Sequence, residues 1–356
     1  MSSQTKPIAA ALPYLTADVP GVGGVIRQTP EDFVVEEQPL YLPCGEGEHL
    51  YLKITKRGLS TPDLISRLSS TLGVKARGIG VAGQKDTRAV TTQMVSLHGM
   101  KPDMLTRLKT DERLLSVDVL GRHRNRLRTG HHRGNRFRLV IRRINPVATE
   151  HLPAIMDVLN RRGVPNYFGP QRQGRDGTNY VVGASLLRDA AQRARMPRHR
   201  RIWMLNTYQS HVFNRVLALR IATIDRVMAG DWAMKHDNGA CFHVEDAAVE
   251  QPRADRFEIS PTGPLFGSHA PWATGEPGTI EEQVVTELGE TKDALQQAAT
   301  ECGFRGERRA LRVRPDQLEW SVEEDRVTLA FTLPPGSYAT SVLREVMKND
   351  EQGASA

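Results

Sequence analysis

A carboxylate with the means to do chemistry stands in the stretch Gly83-Gln84-Lys85-Asp86-Thr87-Arg88-Ala89-Val90-Thr91. A short apolar run, Ile79 to Val81, precedes it, and Val90 to Leu97 is rich in β-branched residues and reads as a strand. Asp86 is thus expected on a tight turn between two strands, with Lys85 and Arg88 beside it. Neighbouring cations favour the ionised form of a carboxylate, which suits a nucleophile or a base. The same residue types also make an ordinary turn Asp with solvated neighbours, and spacing alone does not separate the two.

Other chemistries find less support. His131 and His132 are adjacent, so a strand would send their rings to opposite faces, and no cysteine joins them. No metal site is expected. Pro335-Gly336-Ser337-Tyr338 lacks the GxSxG pattern of a serine hydrolase. Gly21-Val22-Gly23-Gly24 precedes strand-like Val25-Ile26 rather than opening a helix, so it is no dinucleotide loop.

A basic surface lies close in sequence. Residues 122–143 hold nine arginines, three histidines and no acid, and residues 193–201 add five arginines without an acid. A solvated face is the usual meaning of a charge run. A single sign over this length fits a phosphate-backbone footprint better, with Arg122, Arg124, Arg126 and Arg128 as contacts. The run ends in a strand with Phe137, Leu139 and Ile141 on one face and Arg136, Arg138 and Arg142 on the other.

The elements that must position these groups can be read in order. Residues 1 to about 20 read as a loose leader. Thr29-Pro30 makes a turn into a strand over Phe33–Glu37, and a second strand runs from His49 to Thr55. Thr61 is placed to cap a helix whose first position is Pro62 and whose end is Gly73, with Leu64, Ile65, Leu68 and Leu72 buried. The texture changes near Gly163-Val164-Pro165-Asn166. A turn-rich loop, Gly169–Gly177, is followed by helical patterns, Val181 to Ala194 and a longer one with Val212, Phe213, Val216 and Leu217. Residues 245–293 are acidic, rich in Gly and Pro, and without clear periodicity. Strand alternation returns at Val327, Leu329, Phe331 and Leu333, and Ser337 can cap a last helix with Val342, Leu343 and Val346. A β-rich beginning and end around a helical middle suggest one domain inserted in another.

Composition sets the bounds. The 356 residues suffice for two domains, and 39% hydrophobic with 25% charged residues fits a soluble globular chain. A net charge of +7 points towards a polyanionic partner. Cys44, Cys241 and Cys302 support neither a disulfide framework nor a zinc site and are compatible with a reducing cytosol. No apolar run is long enough to span a membrane, and Pro13 interrupts the N-terminal apolar patch, so a cytoplasmic location is expected.

Six stretches together resemble the TruD family of tRNA pseudouridine synthases. They are Thr29-Pro-Glu-Asp-Phe-Val-Val-Glu-Glu37, Gly45-Glu-Gly-Glu-His-Leu50, Val81-Ala-Gly-Gln-Lys-Asp-Thr-Arg-Ala-Val-Thr91, Gly134-Asn-Arg-Phe137, Val164-Pro-Asn-Tyr-Phe-Gly-Pro-Gln-Arg172 and Leu333-Pro-Pro-Gly-Ser-Tyr-Ala-Thr-Ser-Val-Leu-Arg-Glu345. They stand in the family's order between about residues 21 and 348. The resemblance implies isomerisation of uridine to pseudouridine, typically at position 13 in the D-arm of tRNA. Asp86 becomes the catalytic carboxylate, acting on the sugar or uracil as a nucleophile or removing the ribose 2′ proton. The target uridine must leave its stack, so the pocket needs aromatic and hydrogen-bonding groups. Phe137 matches the family's base-stacking aromatic, with Asn135 beside it, though Phe137 is also in phase with the core residues Leu139 and Ile141. Phe33 and Tyr338 match two further pocket positions, and Lys85 joins the substrate-binding set.

The chain departs from the family pattern at three positions. Arg27 stands where lysine is frequent, and an ion pair with Asp86 survives the change. Gln173 and Tyr338 each replace a common Phe. The implied fold is α+β: a pseudouridine synthase catalytic domain with a mixed, largely antiparallel sheet (residues 21–162 and 313–350) and an inserted α/β TRUD domain (163–312), forming a V-shaped, two-lobed molecule. A monomer with no cofactor and no metal, acting on tRNA, is implied. The alternative is a tRNA- or RNA-binding protein without catalysis. An RNA hydrolase using Asp86 as base is a third reading; it would usually need a metal-binding carboxylate cluster or a His pair, neither of which is evident, and a mass-neutral product separates isomerase from hydrolase.

Overall fold

Strand alternation and turn placement build one large sheet from the two ends of the chain. In the computed structural model, residues 12–108, 111–174 and 177–349 are described. Residues 1–11 of the expected leader, Arg175 and Asp176 of the expected turn-rich loop, and residue 350 lie outside them. The first part of the chain supplies β1 (Val25–Ile26), β2 (Phe33–Pro39), β3 (His49–Arg57), β4 (Ile79–Val81), β5 (Val90–His98), β6 (Leu114–His123) and β7 (His132–Arg142), with helix α1 (Thr61–Leu72) between β3 and β4. The middle supplies β8 (Val164–Pro165), β9 (Trp232–Lys235), β10 (Cys241–His243), β11 (Ile259–Leu265), β12 (Glu307–Ala310) and β13 (Arg312–Val313). Its helices are α2 (Leu152–Arg162), α3 (Asn179–Arg188), α4 (Ala190–Arg195), α5 (Arg198–Leu219), α6 (Ala247–Asp255), α7 (Gly275–Glu287) and α8 (Lys292–Glu301). The chain closes with β14 (Asp316–Glu323), β15 (Arg326–Leu333) and α9 (Ala339–Met347).

Two compact units result. Among the described residues, one comprises residues 22–152 and 315–339, the other residues 12–21, 153–314 and 340–349. Residues 153–162 and most of α9 therefore group with the middle of the chain, whereas the sequence reading assigned them to the flanking domain.

The first unit is organised on a sheet of order β14-β15-β7-β2-β5-β3-β6, with β1 added beside β7 and β4 beside β5. β2 and β5 run parallel, and their neighbours pair antiparallel. Register puts Phe331, Phe137, Val35 and Thr91 in one row, and Leu333, Asn135 and Glu37 in the next along the same face. α1 covers part of the sheet with Leu64, Leu68 and Leu72 against Leu50, Leu52, Ile54, Val95 and Leu97. Its cap is Ser60, which accepts the Asp63 amide, rather than the expected Thr61. Gly73 ends the helix in the left-handed conformation, φ 71°, as glycine allows.

In the other unit α5 packs with α3 and α7 around Leu186, Leu205, Tyr208, Val212, Val216 and Val284. The single helix expected over Val181–Ala194 is two, because Asp189 breaks it and caps α4 by accepting the Gln192 amide. The segment without periodicity contains β11, whose seven residues are all buried. Residues 12–20 are not loose: the Leu15 and Thr16 amides donate to buried Glu345, and Arg344 lies 3.8 Å over the Tyr14 ring. No helix among the described residues is long and apolar enough to cross a membrane.

Candidate active site

Asp86 sits in the loop Ala82–Ala89 that joins β4 to β5. Its side chain is 46% exposed, and its Oδ2 accepts from Arg27 Nη2 at 3.2 Å. Arg27 follows β1 directly, where the pairing of Ile26 with Ile141 fixes the chain against β7. Its φ is +59°, a conformation that non-glycine residues rarely adopt. The guanidinium lies 4.0 Å over the Phe33 ring. Phe33, 1% exposed, meets Phe137 edge-on at 6.4 Å, and Phe137 packs 5.5 Å from Phe331. The cation is thus held between a carboxylate and an aromatic wall.

Asn135 pairs with Glu37 on one side and Leu333 on the other, two residues along β7 from Phe137. Its Oδ1 is buried and has no hydrogen-bond partner among the described residues. Gly134 lets the strands approach there: a Cβ at this position would meet the Leu333 carbonyl oxygen at 2.4 Å. Tyr338 is half-buried in the segment that leaves β15 beyond Leu333. Phe137 is 7% exposed in the core row and adjoins the Arg27–Phe33 group.

Lys85 is placed differently from its neighbour. Its side chain is 4% exposed and its Nζ donates to Glu37 Oε2 at 2.6 Å. Glu37 Oε1 accepts the Met94 amide at 3.0 Å. The Lys85 ammonium therefore faces the sheet, where it holds the loop. Lys56 is buried below it, and burial followed by repulsion from Lys85 brings its pKa down to about 8, against the opposing pull of Asp86 and Asp63. Burial, then Lys85, likewise lowers the pKa of His132, so its imidazole is neutral at pH 7.

The four arginines divide. Arg122 donates to the Gly47 and Met100 carbonyls, and Arg126 Nη2 donates to the Ile79 carbonyl at 2.6 Å. Arg124 is exposed and paired with Glu46. Arg128 is exposed, with no side-chain hydrogen bond or ion pair among the described residues. Arg142, from the same charge run, forms a two-pronged pair with buried Asp32. Sequence reasoning missed the parts around Lys85: buried Lys56, Thr61, whose Oγ1 accepts the Lys85 amide at 2.9 Å, and Gln93, whose Oε1 accepts the Thr61 hydroxyl at 3.1 Å. Thr61 looked like a cap, and nothing in sequence marks Lys56 or Gln93. Among the described residues no group of three His, Cys, Asp or Glu could hold a metal ion.

Comparison with known proteins bears on this geometry. The family model described as tRNA pseudouridine synthase D (TruD) matches residues 10–197 and 194–346. The chain belongs to the TruD family. A relative from Geobacter sulfurreducens named tRNA pseudouridine synthase D is 44% identical, covering 96% of this chain and 98% of its own. One from Thermus thermophilus, of the same name, is 47% identical over 94% of this chain and 92% of its own. The crystal structure of a Methanosarcina mazei protein assigned as tRNA pseudouridine synthase D superposes with a TM-score of 0.80. It is 28% identical and covers 96% of this chain and 97% of the other. The α+β fold with its mixed sheet is that of the TruD family.

Proposed function

We propose that the chain isomerises uridine to pseudouridine in tRNA, at uridine 13 of the D-arm, with Asp86 as the catalytic carboxylate. The observation that carries this reading is the accessible Asp86 carboxylate, paired with Arg27 at 3.2 Å beside the Phe33–Phe137 wall, in a chain of the TruD family. The uridine is flipped out of its stack into this site. Phe137 and Phe33 supply the apolar side, Tyr338 flanks the base, and the unpartnered Asn135 Oδ1 accepts a hydrogen bond from it. Arg27 orients the carboxylate. Lys85, its ammonium engaged by Glu37, contributes by holding the loop rather than by touching the base.

The reaction needs no net redox change. The bond from C1′ to N1 breaks, the uracil turns, C1′ joins C5, the C5 proton leaves to solvent, and N1 takes up a proton, so the product has the same mass. Asp86 serves either by adding to C1′ or the base, or by taking the 2′ proton so that a glycal forms. Arg124 and Arg128 contact the tRNA backbone, and Arg122 and Arg126 fasten the β6–β7 connection that presents them.

The test is tritium release from tRNA labelled at uracil C5, with no added metal. Wild-type protein should release tritium, and Asp86→Asn should abolish release while tRNA affinity stays within a few-fold. A tRNA with cytidine at position 13 should release none. Turnover by Asp86→Asn would sink the assignment of the carboxylate, and release from the cytidine-13 tRNA would move the target.

A further inference from the structure

The Asp86 side chain is half-exposed, so the place of its carboxylate depends on how the loop backbone is fastened. Three backbone hydrogen bonds fasten it. The Ala82 carbonyl accepts the Gly130 amide at 2.8 Å, and the Ala89 carbonyl accepts the Gly58 amide at 3.2 Å. Between these ends, the Lys85 amide donates to Thr61 Oγ1 at 2.9 Å, one residue before Asp86. Thr61 is fully buried in the first turn of α1, and its hydroxyl donates onward to Gln93 Oε1 of β5 at 3.1 Å. A hydroxyl has one proton to give and lone pairs to receive. Giving the proton to Gln93 turns a lone pair to Lys85, so the two bonds fix each other's direction. The Lys85 side chain then ties the same residue to Glu37 of β2.

We propose that Thr61 is a positioning residue for Asp86: through the Lys85 amide it sets where the carboxylate stands, linking α1, β5 and the loop. The inference rests on the reading of Asp86 as the catalytic carboxylate. Helix capping does not account for the residue, since Ser60 caps α1.

The experiment compares Thr61→Val, Thr61→Ser and Thr61→Cys in the full chain. Valine keeps the branched shape and removes both hydrogen bonds, serine keeps both, and cysteine offers a weaker donor and acceptor. Thr61→Val should lower kcat for tritium release about 10- to 100-fold, the scale of a small misplacement of a reacting group. KM and tRNA affinity should stay within about two-fold, because the substrate contacts are unchanged. Thr61→Ser should retain kcat, and Thr61→Cys should fall between. Amide exchange of the 82–89 peptide should quicken in Thr61→Val and not in Thr61→Ser. A Thr61→Val protein with wild-type kcat, equal losses in Val and Ser, or unchanged exchange would overturn the proposal. If Thr61→Val does not fold, the Ser and Cys variants carry the same comparison. Wild-type protein that releases no tritium would instead refute the Asp86 reading, while the exchange comparison still tests the Thr61 fastening.

Discussion

Arg27 is the residue in which backbone and side-chain requirements meet. Its left-handed φ of +59° costs on the order of 1 kcal/mol for a residue with a Cβ, and pairing of β1 with β7 holds it there. In return the guanidinium carbon lies 4.0 Å from the Phe33 ring centroid while one nitrogen reaches Asp86. A lysine ammonium, a compact point charge, can keep the ion pair but not the broad contact with the ring and the directed N–H together. Arg27→Lys should therefore lower kcat for tritium release by about ten-fold, and Arg27→Ala by about 100-fold or more, the range seen when a charge-stabilising donor is removed. Equal kcat in the alanine variant and the wild type would show that the pair does not orient the carboxylate.

β2 carries structural and site-forming acids on one strand and its lead-in. Asp32, 1% exposed, accepts two nitrogens of Arg142 and the Thr29 amide, while Glu37 five residues on holds Lys85. Burial alone would raise the Asp32 pKa, but Arg142 and the Thr29 amide outweigh it and hold the carboxyl below its ordinary 3.8. A lowered folded-state pKa stabilises the fold fully above the ordinary value, and the contribution is lost as pH falls through the lower one. Arg142→Ala strands the buried Asp32 carboxylate and should lower the midpoint of urea unfolding at pH 7. It should also flatten the loss of stability on acidification below pH 3.8. An unchanged acid limb would mean that Asp32 titrates alike in the folded and unfolded chain.

Charge acts at the scale of the whole molecule. A net +7 attracts a polyanion from any direction, but the RNA sheds counterions only where a cation reaches a phosphate. Arg128 is exposed and free to do so among the described residues, whereas Arg122 and Arg126 have carbonyl acceptors. Arg128→Ala should therefore weaken tRNA binding evenly across tRNA sequences and reduce the slope of log K against log salt by about 1. Arg126→Ala should act mainly on stability, through the Ile79 carbonyl it leaves unpaired. A steeper slope change for Arg126 than for Arg128 would reverse this division.

The family, the Asp86 turn and most of the large sheet are legible in the residues alone. These are local matters: β2 and β15 alternate because one face is buried, and the turn that holds Asp86 lies between two readable strands. β11 was not legible because all seven of its residues are buried, so no period of two remains, and Pro261 and Pro264 argue against a strand. The two-helix break at Asp189 was hidden because apolar residues continue across it. Which cations are free, and which groups hold Asp86 in place, follows from contacts between distant segments. Lys85 and Asp86 are consecutive, yet one faces a buried glutamate and the other is half-exposed beside Arg27. Thr61 looks like a cap in any one-dimensional reading. Its hydroxyl serves the loop only because β5 and the end of β3 bring α1 beside Lys85, a contact twenty-four residues away along the chain.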